Sequence, residues 1–127
     1  MRIIFMGTPT FALPSLEKIY KEHEIISVFT KVDKPNARGK KINFSPIKEF
    51  ALANNLKIYQ PENFKDGSLI EEIRNMQADL IVVVAYGKIL PKEIIDIPKY
   101  GVINLHSSLL PRFRGAAPIN AAIINGD

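Results

Sequence analysis

The run LIVVVA, residues 80–85, limits the possible folds more than any other part of the sequence. It falls far short of the roughly 20 residues needed to span a bilayer. A short, continuous apolar run is instead typical of a strand buried on both faces, as in a parallel sheet covered by helices. The sequence therefore predicts a layered structure in which helices pack on both sides of a sheet.

Strand-like and helix-like segments alternate along the rest of the chain. Strands are predicted at RIIFM, IISVF, KIY, LIVVVA and VINL. Apolar residues at helical spacing predict three helices between them, with faces formed by Leu16, Ile19 and Tyr20, by Ile47, Phe50 and Ala51, and by Leu69, Ile73 and Met76. This order predicts an α/β fold with a doubly wound, mostly parallel sheet of five strands, in which ligands bind beyond the carboxyl ends of the strands.

The helix ends are predicted from capping residues. Thr10 and Ser45 are the predicted N-caps of the first and second helices. A fourth helix of one or two turns is predicted after Pro91. A fifth is predicted over residues 116–125 and is closed by Gly126, because glycine commonly follows the last turn of a helix.

Composition is that of one globular domain, residues 1–127, with 46% apolar and 24% charged residues. The sequence has no cysteine, which excludes disulfides, thiolate nucleophiles and zinc–thiolate clusters, and its two histidines argue against a multi-histidine metal site. Pro9 and Pro14 interrupt the apolar start, so no secretory signal is predicted. We expect a cytoplasmic monomer without a metal or a membrane partner.

The positive charge is confined to one segment. Residues 31–41, KVDKPNARGKK, hold five basic residues and one acid, whereas the other 116 residues carry equal numbers of both signs. We call residues 31–41 the basic segment. Its proline and glycine predict a loop rather than a helix or a strand. A merely solvated loop is the simplest interpretation, and a contact with nucleic acid is the alternative.

The first strand is followed by MGTPTF, the position of a dinucleotide fingerprint in folds of this type. Only Gly7 is present, whereas that fingerprint needs three glycines for backbone approach and helix packing. No phosphate-loop lysine follows. The sequence therefore argues against binding of NAD or ATP, and no nicotinamide cofactor is expected.

The stretch NLHSSLLPRFRGAAP, residues 104–118, begins in the last predicted strand. On a strand, Asn104 and His106 project from the same side, while Ile103 and Leu105 point the opposite way into packing. The plain structural interpretation is a turn-capping asparagine and a buried, satisfied imidazole. The functional one is that both side chains face a site at the carboxyl end of the strand.

Such a pair suits acyl-type transfer. An amide NH2 and an imidazolium can both donate to a developing oxyanion, and the imidazolium can also protonate a leaving nitrogen. No nucleophile is evident, because there is no cysteine and neither Ser107 nor Ser108 has a visible base. The attacking group is therefore expected to belong to a substrate, either an amine or water.

NLHSSLLP resembles the signature of the folate-dependent formyltransferases. Within that superfamily, FMGTPTFALPSL, FTKVDKPNARGKK, VVVAYGKILP and SLLPRFRGAAPI together resemble the methionyl-tRNA formyltransferases over essentially the whole chain. SLLP alone would indicate only the superfamily, whereas RGAAPI and the RGKK of the basic segment point to the tRNA-dependent enzymes. The resemblance implies a Rossmann-like formyltransferase fold.

The resemblance also implies roles for individual residues. Asn104 would be an oxyanion donor, and His106 would be a general acid and electrostatic stabiliser. The formyl donor, 10-formyltetrahydrofolate, would be bound by Tyr86, Gly87, Ile89, Leu90, Ser108, Leu109, Leu110 and Pro111. For Ile89 and Leu90, ordinary core packing is an equal alternative. Initiator methionyl-tRNA would be contacted by Lys31, Lys34, Arg38, Lys40 and Lys41, with Arg38 foremost.

The family implies two features beyond this sequence. Its members carry a third catalytic residue, an aspartate in a later strand, and a further carboxyl-terminal domain that helps to bind tRNA. Asp127 is not assigned that role, because it would lie in the turn before that strand. We therefore expect residues 1–127 to be the amino-terminal catalytic part of a longer enzyme and to be inactive alone.

Two alternatives remain from the sequence. A sister enzyme, such as glycinamide ribonucleotide formyltransferase, a sugar-nucleotide formyltransferase or a formyltetrahydrofolate hydrolase, would share Asn104 and His106 but would not need the basic segment. A non-catalytic RNA-binding module would use the basic segment alone.

Overall fold

The computed structural model describes residues 1–35, 42–107 and 119–124. Its main sheet has six strands in the order β5-β2-β1-β6-β7-β8. In chain order the elements are β1 (Arg2–Gly7), α1 (Leu13–Glu22), β2 (Glu24–Phe29), β3 (Lys34–Pro35), β4 (Ile42–Asn43), α2 (Pro46–Ala53), β5 (Ile58–Tyr59), α3 (Gly67–Asn75), β6 (Leu80–Val84), α4 (Lys92–Ile95), β7 (Val102–Ser107) and β8 (Ile119–Ile124).

The five predicted strands are confirmed, and they pair in parallel as β5-β2-β1-β6-β7. Side chains alternate across each strand, so the sheet has a separate apolar core on each face. On one face Ile4, Met6 and Val83 pack against α3 and α4, and on the other Ile3, Phe5 and Val82 pack against α1 and α2. All five residues of β6 are buried, as the run LIVVVA predicts. The doubly wound α/β architecture is therefore confirmed.

The predicted helix faces are largely confirmed. Leu16, Ile47 and Ile73 are fully buried, whereas Tyr20 is 40% exposed. Tyr20 instead packs the edge of its ring against Phe50, with ring centroids 5.4 Å apart.

Ser45 caps α2 as predicted, because its hydroxyl accepts a hydrogen bond from the backbone N–H of Lys48 at 3.0 Å. Thr10 does not cap α1. It begins a short 3₁₀ turn, Thr10–Ala12, and α1 follows from Leu13. The extra turn moves the start of the regular helix two residues beyond the position that the capping pattern predicted.

The prediction of a fifth helix is wrong. Residues 119–124 form β8, which pairs antiparallel with β7 from Val102↔Ile124 to Ser107↔Ile119. A short apolar segment fits either a helix or a strand. The strand is favoured here because β7 would otherwise present a row of unpaired backbone groups at the edge of the sheet.

A second, two-stranded sheet was not predicted. Its strands, β3 and β4, pair antiparallel with Lys34 opposite Asn43. In the described parts of the chain, no helix is both long enough and apolar enough to cross a membrane.

Candidate active site

The candidate site lies where the parallel strands end. β1, β2, β5, β6 and β7 run in the same direction, so their carboxyl ends share one edge of the sheet. We call this the carboxyl edge. It brings together the residues after β1 and β2, the turn after β6, and the end of β7. The residues of β1, β2 and β6 are mostly buried, so the core holds the ends of these three strands.

Thr8 joins three strand ends at this edge. Its hydroxyl donates to the backbone carbonyl of Tyr86 at 3.0 Å and accepts from the backbone N–H of Lys31 at 3.3 Å. Gly7 precedes it, and a Cβ there would lie 2.8 Å from the carbonyl oxygen of Val84. The single glycine of MGTPTF is therefore explained by close contact between β1 and β6, not by a phosphate-binding turn.

The base of the basic segment is held by a polar network. Lys48 Nζ lies 2.6 Å from Asp33 Oδ2, and the two side chains are only 13% and 22% exposed. Gln60 donates from Nε2 to Asp33 Oδ1 at 2.8 Å and to the carbonyl of Lys31 at 3.0 Å. The hydrogen bond from Lys48 is the main reason that the pKa of Asp33 is lowered. Asp33 is thus ionised near neutral pH and fixes the start of the segment.

The predicted tRNA contacts are only partly described. Lys31 is half-buried at the end of β2, and Lys34 is exposed on β3. Arg38, Lys40 and Lys41 lie outside the described residues. The β3–β4 pairing joins the two ends of the basic segment, because Lys34 stands opposite Asn43. The structure therefore shows how the segment is anchored at its base.

The turn after β6 contains the predicted folate residues. Ile89 is 94% exposed, whereas Leu90 is 9% exposed and belongs to the core beside Ile94. The Tyr86 ring is also buried, and its centroid lies 6.3 Å from that of Phe64. Burial raises the pKa of the Tyr86 hydroxyl. Core packing was the alternative interpretation for Ile89 and Leu90. It is correct for Leu90 but not for Ile89.

A cavity of about 550 Å³ opens beside this turn. Its apolar walls include Phe64, Ile89 and Pro91, and Lys65 and Lys88 also line it. Lys88 Nζ donates to the backbone carbonyl of Glu62 at 2.6 Å, which ties the turn to the segment before α3. The cavity combines apolar walls with two lysines, one acidic residue, Glu62, and backbone polar groups, so it suits a flat molecule with polar substituents.

Gly87 connects the two parts of the edge. Its φ is +86°, a backbone conformation that residues other than glycine rarely adopt. A Cβ at this position would lie 2.4 Å from Cε of Lys31 and 2.8 Å from its Nζ. The ammonium group of Lys31 therefore rests over the backbone of the β6 turn, in space that exists only because residue 87 is glycine.

Asn104 and His106 lie in β7, as predicted from the strand pattern. Asn104 is half-buried and pairs with Val83 of β6 and with Ala122 of β8. Ile103 and Leu105 pack against the core on the α1 and α2 face, as expected for the alternate positions. His106 stands opposite Asn120 in the β7–β8 pairing. The catalytic roles of Asn104 and His106 stay predictions.

The remaining predicted folate residues, Ser108, Leu109, Leu110 and Pro111, lie outside the described residues. Among the positions that are described, no group of three or more histidine, aspartate or glutamate side chains is placed to hold a metal ion.

Several residues at the edge were not predicted, namely Thr8, Asp33, Phe44, Lys48 and Gln60. One signal for them was present in the sequence, since Asp33 is the single acid of the basic segment. An isolated acid among five basic residues indicates a structural ion pair. Its partner Lys48 lies in α2, and no local pattern reveals that pairing.

The sequence matches the family model described as Formyl transferase over residues 1–127. Among curated proteins, it is 95% identical to the methionyl-tRNA formyltransferase of Fusobacterium nucleatum and 60% identical to that of Clostridium tetani. In both comparisons all of this chain is matched, but it spans only 41% of the relative's length.

Solved structures show the same fold at low sequence identity. Phosphoribosylglycinamide formyltransferase from Bacillus halodurans matches with a TM-score of 0.66 and 13% identity, over 98% of this chain and 72% of that one. A formyltetrahydrofolate deformylase from Pseudomonas putida matches with a TM-score of 0.63 and 19% identity, over 99% of this chain and 49% of that one.

Proposed function

The chain belongs to the formyl transferase family, and we propose that it acts in the transfer of a formyl group from 10-formyltetrahydrofolate to the α-amine of initiator methionyl-tRNA, in translation initiation. The observation that carries this proposal is the 95% identity to a curated methionyl-tRNA formyltransferase along all 127 residues. The arrangement of the carboxyl edge supports it, because a cationic region and an apolar cavity lie side by side there.

In the proposed mechanism, the free α-amine of the methionyl group attacks the formyl carbon and forms a tetrahedral intermediate. Asn104 and His106 hold its oxyanion, because both sit near the end of β7 on alternate positions of one strand. When the intermediate collapses, the bond from the formyl carbon to the folate nitrogen breaks, and that nitrogen takes a proton, which protonated His106 can supply. The attacking nitrogen loses one proton, which can return His106 to its protonated form. No nucleophile of the protein is required, in keeping with a sequence that has no cysteine.

The folate is proposed to bind at the turn after β6. The exposed side chain of Ile89 and the apolar walls of the adjoining cavity suit a flat ring. Tyr86 and Leu90 support this turn from the core, and Ser108, Leu109, Leu110 and Pro111 are proposed to complete the site. Two lysines, Lys65 and Lys88, and one acid, Glu62, line the cavity, and their net positive charge favours an anionic tail.

The tRNA is proposed to approach from the basic segment. Lys31, Lys34, Arg38, Lys40 and Lys41 supply the positive charge that a phosphate backbone requires. The ion pair of Asp33 with Lys48 and the hydrogen bonds of Gln60 hold the start of the segment on the sheet.

The activity is proposed for a protein of the relatives' length. We propose that residues 1–127 act as its amino-terminal catalytic part and give no formylation alone, because the third catalytic residue that the family implies lies elsewhere. We further propose a cytoplasmic monomer. The high identity to methionyl-tRNA formyltransferases favours this function over a sister formyltransferase or an RNA-binding module.

Two binding measurements on the full-length protein test the proposal. Filter binding with methionyl-tRNA and a fluorescence titration with folate should both show saturable binding. A sister enzyme would bind folate only, and an RNA-binding module would bind RNA only, so either result would refute the proposed function.

A matched pair of lysine variants tests the tRNA surface. Lys34→Ala should lower the slope of log affinity for tRNA against log salt by about 0.7 to 0.9, the value for one phosphate contact. Lys21→Ala removes the same charge from the last turn of α1, beside Arg2 at the opposite edge of the sheet, and should leave the slope unchanged. Equal slopes for both variants would show that Lys34 does not contact a tRNA phosphate.

A further inference from the structure

A second cavity, of about 420 Å³, lies at the carboxyl edge between the ends of β1 and β2 and the start of α2. Its lining includes Thr8, Lys31, Lys34 and Phe44. We call it the Phe44 cavity. Among the described residues that line it, Asp33 carries the only carboxylate, and that group is paired with Lys48 at 2.6 Å. The cavity therefore offers two lysines and one aromatic ring to an incoming group.

Phe44 is 44% exposed and directly precedes Ser45, the N-cap residue of α2. The ammonium of Lys48 lies 3.9 Å from its ring centroid. This cation fixes the ring from one side and is itself held by Asp33. The contact with Lys48 therefore restrains the ring, while Phe44 stays 44% exposed.

The cavity lies within reach of the proposed catalytic strand. Asn104 pairs with Val83 of β6, and Val83 pairs with Met6 of β1. Two strand spacings of about 4.8 Å place Met6 roughly 10 Å from Asn104. Thr8, in the cavity wall, follows two residues after Met6. A chain that delivers an amine to Asn104 can therefore place a neighbouring unit in the Phe44 cavity.

We propose that the exposed face of Phe44 stacks on the base of one unpaired nucleotide at the 3′ acceptor end of the tRNA, and that Lys31 and Lys34 bind the phosphates beside it. An oriented aromatic ring next to cationic side chains is the usual arrangement for single-stranded nucleic acid, because every base has a face that can stack and every nucleotide carries a phosphate. The proposal rests on methionyl-tRNA being the substrate.

The first test measures kcat/KM of the full-length enzyme for methionyl-tRNA. Phe44→Leu should lower it about 5- to 150-fold, the range of one base–aromatic contact. Phe44→Tyr and Phe44→Trp keep a flat ring and should stay within about threefold of wild type. Folate affinity should be the same for all four proteins, because Phe44 lies outside the folate cavity. Phe44→Leu loses the contact of its ring with Lys48, and its unfolding midpoint should fall only slightly. Full activity of Phe44→Leu would overturn the proposal.

The second test identifies the base by coupling. Methionyl-tRNAs that each lack one base among the unpaired 3′ nucleotides are assayed with wild type and with Phe44→Leu. At one position, removal of the base should lower kcat/KM of wild type by the same factor as the Phe44→Leu substitution does. Removal of that base should lower kcat/KM of the Phe44→Leu variant almost no further. If the two losses are additive at every position, Phe44 does not stack on a base, and contact with the methionyl side chain becomes the better explanation.

The same assays separate this inference from the proposed function. If wild type does not formylate methionyl-tRNA, both the proposed function and this inference are refuted. If wild type does so and Phe44→Leu is equally active, only the stacking contact is refuted.

Discussion

The carboxyl edge has two parts that are built by different means. At the ends of β1 and β2, side chains hold the backbone in place, through Thr8, Asp33 and Gln60. At the turn after β6, the backbone conformation itself is unusual, with positive φ angles at Ala85 and Gly87, and an apolar side chain, Ile89, is directed to solvent.

The difference indicates which ligand each part can accept. The first part is polar and cationic, and it suits a phosphate chain. The second exposes apolar surface beside backbone polar groups, and it suits a flat ring. The two parts meet at Thr8, which bonds to Tyr86, and at Lys31, which rests over Gly87. Because they share these contacts, a change at the junction is expected to affect both, whereas a change within one part should affect one ligand only.

The largest expected effect comes from β7, the strand that is proposed to act on both ligands. Asn104→Ala and His106→Ala should each lower formyl transfer by about 10²–10³, because oxyanion donors act on charge that develops in the transition state. Folate and tRNA affinities should change little, as measured by titration and filter binding on the full-length enzyme. A rate of formyl transfer within a few-fold of wild type would show that both residues have only structural roles.

The next largest effect is expected at the junction. Gly87→Ala places a Cβ at φ +86° and 2.4 Å from Lys31 Cε, so we expect a loss of about 1–2 kcal/mol in unfolding free energy and weaker binding of both ligands. The matched control is Gly67→Ala, where a Cβ meets nothing within 4 Å. That variant should be neutral or slightly stabilising. If Gly87→Ala weakened binding of one ligand only, the two parts would be independent.

A smaller effect is expected within the polar part alone. Asp33→Asn removes the charge opposite Lys48 in a largely buried pair, and it should lower the unfolding free energy by about 1 kcal/mol. Use of methionyl-tRNA should fall and folate affinity should not. Glu71→Gln, which breaks an ion pair with Arg74 whose side chains are more than half exposed, is the control and should change little. A fall in folate affinity for Asp33→Asn would contradict the division of the edge.

The smallest effect is a pH dependence from the same pair. The pKa of Asp33 is lower in the folded state than its ordinary value of 3.8, mainly because Lys48 donates to it. Its contribution to stability is therefore fully present above about pH 4 and is lost as the pH falls through the lowered value. Denaturant midpoints from pH 7 to pH 2 should differ between wild type and Lys48→Met, and that difference should shrink below pH 4. A constant difference would show that the pair does not ionise as described.

The sequence predicted those parts of the fold that depend on burial along a single element. The run at residues 80–85 predicted a strand buried on both faces, and β6 is one. The alternation in β7 correctly separated Ile103 and Leu105, which pack into the core, from Asn104. Such patterns are local, because a residue's side of a strand is fixed by its position in the chain.

The tertiary structure decided what depends on residues far apart in sequence. Residues 119–124 are short and apolar enough for a helix or a strand, and only the open edge of β7 selected the strand. Likewise, Asp33 and Gln60 meet because the ends of β2 and β5 are adjacent, although 27 positions separate the two residues. Local propensity determines which elements can form. Long-range pairing determines which of them do form and which side chains meet, because unpaired backbone groups and uncompensated charges are costly where the fold buries them.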